Sequence, residues 1–289
     1  MTQSTGGHTD ANNILNITAI GNYSRLKGII FILPLSLLVL LALFLYIQDS
    51  FSVSGYIGIQ KEWFFFLNGQ LSQLPGIEYN LAQLGDALIS LSILSVLIIY
   101  APKFWEALIS ASLVSAIFSA IFKKLFSVPR PAAALDPDSF VIIGKTLSGN
   151  NSLPSGHSIT IFTIITVIMF AFMPVKRKYK LIWIIGILLI GLVIASTRIG
   201  LGAHYPLDVI TGSIIGYLCG LTGIFISRKF RIWSWIGEKK YYPVFILLFL
   251  VCSIIVTGKI INENLPIFYV ALICLLLSLY KISKIYVQK

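Results

Sequence analysis

Charge is what this sequence has least of. Only 11% of its 289 residues are charged, where a soluble domain carries about 25%. Asp and Glu number 11 against 22 Lys and Arg, a formal net charge of 22 − 11 = +11. With a mean hydropathy of +0.89, too little polar side chain remains to coat a water-soluble globule, which excludes a soluble enzyme and a disordered chain. Cysteine is equally sparse. Cys219, Cys252 and Cys274 all fall in apolar stretches, and an odd, embedded set builds no disulfide framework. Without a CxxC or a Cys/His cluster, no metal site and no cofactor is expected. Histidine occurs three times, at His8, His157 and His204, so chemistry that needs imidazole has few places to go.

Long apolar runs, by contrast, fill most of the chain. A hydrocarbon core about 30 Å thick is crossed by about 20 helical residues, and candidate spans run over 29–47, 79–100, 104–122, 158–174, 181–197, 207–227, 243–258 and 266–280. The expected fold is an all-α polytopic membrane helix bundle. It divides into a polar cytoplasmic leader (1–28), a six-span core (29–227), and a basic loop with two further C-terminal spans (228–289). The leader lacks the basic-then-apolar order of a cleavable signal, so the first span is expected to stay. Residues 62–67, Glu-Trp-Phe-Phe-Phe-Leu, are too few to span and read as an interfacial helix at headgroup level.

Short loops rich in Lys and Arg stay on the cytoplasmic side. With the N-terminus inside, that side holds Arg25, Lys27, Lys103, the Lys176-Arg177-Lys178 cluster with Lys180, then Arg228, Lys229, Arg231, Lys239 and Lys240, and the tail lysines Lys281, Lys284 and Lys289. The positive charge is therefore a topology signal, its clusters facing water or anionic headgroups, and no nucleic acid partner is implied. The opposite face is expected toward the exterior. Lys61, Lys123, Lys124, Arg130, Lys145, Arg198 and Lys259 remain on that opposite face. Several sit at span ends beside the motif histidines, and charge at a membrane edge is a functional signal by default.

Three segments meet there because alternate spans reverse direction. One runs from Lys123 to Arg130-Pro131, the second is Leu153-Pro154-Ser155-Gly156-His157, and the third runs Thr197-Arg198 to His204-Tyr205-Pro206-Leu207-Asp208. His204 and Asp208 are four apart, the spacing of one helical face, so the carboxylate can orient the imidazole. Lys123, Arg130 and Arg198 supply three cations suited to phosphate oxygens. Ser155-Gly156-His157 opens a span, where free N–H groups and the helix dipole favour an anion, and Gly156 lets the backbone approach it. The pocket fits a phosphate, with one imidazole as nucleophile or base and the other as general acid.

In order, these segments resemble the type 2 phosphatidic acid phosphatase superfamily, whose pattern is K-x6-R-P, P-S-G-H and S-R-x5-H-x3-D. Thr197 stands where the family usually has Ser and keeps the hydroxyl. The resemblance implies a six-helix membrane phosphatase core, no metal requirement, His204 as the nucleophile that forms a phosphohistidine, His157 as general acid, and Asp208 as orienter. It implies a lipid phosphate as partner: undecaprenyl diphosphate, phosphatidylglycerol phosphate, phosphatidate or a lipid A phosphate. Transfer to a second lipid in place of water would use the same residues. An anion transporter would place its site nearer the midplane between repeated halves, and the soluble haloperoxidase relatives do not match the apolar composition. Of the remaining polar residues, Asp86 is expected to face water at the interface, Lys124 to snorkel, and Lys145, Asn150 and Asn151 to lie in a solvated loop. Asp136 and Asp138 would oppose an anion and are expected outside the pocket.

Overall fold

In the computed structural model, residues 7–288 are described; positions 1–6 of the leader and Lys289 of the tail lie outside the described residues. No strand occurs among the described residues. The helices are α1 (Gly7–Ser24), α2 (Ile32–Ile47), α3 (Val53–Gly58), α4 (Lys61–Leu71), α5 (Pro75–Ala82), α6 (Ala87–Leu94), α7 (Pro102–Phe126), α8 (Pro131–Ala134), α9 (Gly156–Ala171), α10 (Arg177–Gly200), α11 (Pro206–Lys229), α12 (Tyr242–Glu263) and α13 (Pro266–Val287). The molecule is a polytopic membrane helix bundle.

Among the described residues, six helical segments are long and apolar enough to cross a bilayer: those containing α2, α7, α10, α11, α12 and α13. Two expected spans differ from the pattern. The continuous span expected over 79–100 is broken: the α5 and α6 segments bend by 78° at Asp86. Asp86 has an extended backbone and its carboxylate accepts from Leu88 N, so it restarts the helix as an N-cap in the middle of an apolar run. The expected span 158–174 becomes α9, of 16 residues, about 24 Å long at 1.5 Å per residue. Pro174 follows its end, and the residue before a proline leaves the helical region. The short length is tolerated because α9 is the central helix, with twelve of its residues buried.

α9 is surrounded by α11, α7, α10 and α1. Gly212, Gly216 and Gly220 form one face of α11, and a Cβ at Gly216 would sit 2.3 Å from the Ile159 carbonyl. Such small residues let two membrane helices approach to backbone contact. At the other end of α9, the stretch before the first span is itself helical. Asn22 of α1 donates to the Ala171 and Met173 carbonyls at 3.0 Å each, and buried Tyr23 donates to Val167 O. Asn22 thereby satisfies carbonyls that a helix end leaves unpaired.

The 62–67 stretch lies within α4, which is more than an interfacial ornament. Trp63 and Phe66 are exposed, while Phe64 is fully buried and packs edge-on against Tyr205 and Phe140 at 5.4 and 5.1 Å. α4 therefore docks on the chain that leads into α11.

Candidate active site

The turn from α10 into α11 carries the first imidazole. Gly202 has φ +71°, a backbone conformation open to glycine at no steric cost. It lets the chain reverse so that the amides of Ala203 and His204 both donate to the Arg198 carbonyl, at 3.1 and 3.2 Å. Tyr205 caps α11, Pro206 opens it, and Asp208 closes a capping box by accepting from Tyr205 N at 3.0 Å. His204 thus lies before the helix, so the shared helical face expected from the four-residue spacing is not what joins it to Asp208. The turn does so, bringing His204 Nδ1 to 3.5 Å from Asp208 Oδ2.

Asp208 is wholly buried and held from three sides. Tyr56 Oη donates to Oδ1 at 2.7 Å, Ser152 Oγ donates to Oδ2 at 2.5 Å, and Tyr205 N completes the set. Ser152 Oγ also lies 3.5 Å from His204 Nδ1. Both hydroxyl partners escape sequence reasoning. Ser152 stands one residue before the Leu153–His157 motif, and Tyr56 is 152 positions from its carboxylate, with no local pattern to mark it. Gln60 and Asn68 are two more. Gln60 accepts from Leu207 N and donates to Tyr56 O. Asn68 exchanges hydrogen bonds with Val141 and donates to the Ile199 and Gly200 carbonyls. Together these amides tie α3 and α4 to both loops of the site.

Lys123, Arg130 and Arg198 lie close enough together to act on the same imidazole, that of His204. Arg130 and Arg198 are buried at 8% and 6% exposure. Arg130 Nε donates to Asn151 Oδ1 at 2.7 Å and Nη1 to Ala203 O at 3.3 Å, so Asn151, exposed on its loop as expected, also orients a site cation. Lys123, in the last turn of α7, places Nζ 3.0 Å from where a Cβ on Gly156 would lie. None of the three makes a salt bridge among the described residues, and Arg198 Nε, buried, has no hydrogen-bond partner. Buried positive charge without a counter-ion is strongly disfavoured. Burial first, then the charges of Arg130, Arg198 and Lys123, hold the His204 imidazole well below its ordinary pKa, so it is neutral near pH 7.

Ser155 caps α9, its Oγ accepting from Ser158 N and Ser158 Oγ. Its hydroxyl is fully buried and serves the helix, while its amide donates to Asp208 O. His157 follows in the first turn of α9. The imidazole borders a cavity of about 430 Å³ that also touches Gly85, Asp86, Ser119 and Gly156.

The peripheral residues sort differently. Asp86 does not simply face water: it pairs with Lys259 at 3.1 Å. Lys124, Lys145, Asn150, Asp136 and Asp138 are exposed. Among the described residues no group of three His, Cys, Asp or Glu could hold a metal ion.

Comparison with known proteins places this arrangement. Residues 104–233 match the family model of the PAP2 superfamily, a segment that contains every motif residue above. The chain is 25% identical over 185 residues to an undecaprenyl-diphosphatase of Sulfolobus acidocaldarius, covering 62% of this chain and 84% of the relative. It is 32% identical over 119 residues to the bacitracin transport permease protein BcrC of Bacillus licheniformis, 41% of this chain and 53% of the relative. Among solved structures, LpxE of Aquifex aeolicus matches with a TM-score of 0.49 and 28% identity, covering 58% of this chain and 95% of that one. By the matched segment and the ordered motifs within it, residues 104–233 are similar to the PAP2 superfamily.

Proposed function

We propose that the protein hydrolyses a lipid phosphomonoester or diphosphate through a phosphohistidine on His204. The observation that carries this reading is the set of three cations without a carboxylate partner, grouped around a buried, neutral imidazole. A phosphate supplies the missing negative charge, and Lys123, Arg130, Arg198 and the first amides of α9 are suited to hold its oxygens. With Nδ1 turned to Asp208, the imidazole proton belongs on that side and Nε2 keeps the lone pair. Attack forms an N–P bond and breaks the bond to the lipid oxygen, which takes a proton from His157. Water then attacks the phosphohistidine, giving its proton to His157 and releasing phosphate. Positioning and charge neutralisation carry most of phosphoryl transfer. Here three side-chain cations can supply that neutralisation, and on this reading activity persists in excess chelator.

Within the substrate class, the similarity to an undecaprenyl-diphosphatase favours a polyprenyl diphosphate over phosphatidate, phosphatidylglycerol phosphate or a lipid A phosphate. On the basic-residue topology, the site faces the periplasm or exterior of a bacterial cytoplasmic membrane and both termini are cytoplasmic. The test is phosphate release from a panel of purified lipid phosphates by wild type and His204→Ala. Release by wild type alone supports the reading, equal release overturns it, and label passing to a second lipid marks transfer in place of hydrolysis.

A further inference from the structure

Two parts of the molecule outside the matched segment touch behind His157. One is the break between α5 and α6, where the 3₁₀ turn Gln83–Gly85 meets Asp86. A Cβ on Gly85 would lie 2.6 Å from His157 Cβ and 2.9 Å from its Cδ2, so the Gly85 backbone forms the wall against the base of the imidazole. The other is the C-terminal hairpin of α12 and α13. Lys259 on α12 pairs with Asp86 Oδ2 at 3.1 Å, while Oδ1 of the same carboxylate caps α6 through Leu88 N at 2.9 Å. Two more contacts fasten this end of the hairpin to α5: Tyr79 Oη donates to Glu263 Oε2 at 2.9 Å, and Ile267 N donates to Asn80 Oδ1 at 3.3 Å. Further along, Ser95 and Ser278 hydroxyls meet at 2.8 Å.

We infer that the C-terminal hairpin positions His157 from outside the family core: Lys259, paired with Asp86, pins the α5–α6 break and with it the Gly85 backbone against the imidazole. Lys259 and Asp86 are positioning residues in this scheme, acting through Gly85. A helix broken within the membrane leaves polar backbone that must be held by neighbouring protein, and a partly buried ion pair at the break supplies a fixed anchor. The kinetic consequences rest on the phosphatase reading above; the geometry of the imidazole does not.

Asp86→Asn and Lys259→Met separate the pair from the cap, because Asn caps a helix about as well as Asp. Each is expected to lower kcat by about tenfold with KM within about twofold, as small misplacement of a catalytic group does. The double variant is expected to be no worse than either single one, since both remove the same contact. Lys259→Arg, which keeps the charge, should stay within about twofold of wild type. The activity-independent readout is carbethoxylation of His157 by diethyl pyrocarbonate, followed by peptide mass spectrometry, which should quicken severalfold in Asp86→Asn and Lys259→Met. Unchanged labelling in both variants, or kcat losses that multiply in the double variant, would overturn the inference. A wild type that releases no phosphate would sink the phosphatase reading alone, with the labelling still deciding this one.

Discussion

α2 and α9 look alike in the sequence and behave as opposites in the structure. Both read as apolar runs of span length. α2 carries the highest mean hydropathy of the candidate spans, 2.9, and buries only Pro34, so lipid is its solvent on nearly every side. α9 is 16 residues long, buries twelve of them and begins at the site. A helix in lipid needs only apolar surface and satisfied backbone. A helix that presents an anion-binding end needs protein around it, to pack against and to hold neighbouring polar groups.

The sharpest way to break that comparison is at the site end. If catalysis runs through the proposed phosphohistidine, His204→Ala should reduce phosphate release by at least about a thousandfold, since no other group would take over a covalent step, measured with whichever lipid phosphate the wild type turns over. Next in size is the α9–α11 contact. Gly216→Val forces a Cβ to within 2.3 Å of the Ile159 carbonyl and should destabilise the bundle by about 3 kcal/mol, read as a lowered Tm in detergent; an unchanged Tm would deny the close packing.

Tyr56→Phe and Ser152→Ala each remove one donor from buried Asp208. Each should lower kcat by about tenfold, the scale of leaving a buried charged acceptor short of a partner, with KM little altered. A subtler effect concerns pH. On the proposed reading His204 attacks as the neutral imidazole, and burial with three nearby cations places its pKa below the ordinary 6.5. The acid limb of kcat/KM therefore falls below pH 6.5, with activity lost as protonation sets in. Arg130→Met removes one of those cations and should move the limb upward, so a limb displaced downward would contradict the assignment. The smallest effect belongs to the other member of the comparison: Leu40→Ile on the lipid face of α2, where Leu40 is exposed, should change Tm-derived stability by no more than about 0.5 kcal/mol.

How legible these features are follows from their range along the chain. Lys123, Arg130, His157, Arg198, His204 and Asp208 announce themselves because their spacing is local and their charge is anomalous beside apolar runs. The break at Asp86 is harder: Leu-Gly-Asp within a hydrophobic stretch reads equally as a span with one interfacial acid, and only the capped geometry and the Lys259 partner distinguish the two. Tyr56, Gln60, Asn68 and Asn151 are ordinary residue types whose importance comes from partners elsewhere in the chain. The helix α1 is invisible to a search for apolar runs, because its contribution rests on Asn22 and Tyr23 reaching the end of α9.

By itself the sequence determines a membrane bundle and the residues that gather at one end of it, since hydropathy and charge act wherever a residue stands and need no partner to be read. The tertiary structure alone decides which spans meet lipid, where a span breaks, and which hydroxyls and amides hold Asp208 and Arg130. Those depend on hydrogen bonds and backbone contacts a few ångströms long between residues far apart in the chain, and such distances exist only once the helices have packed.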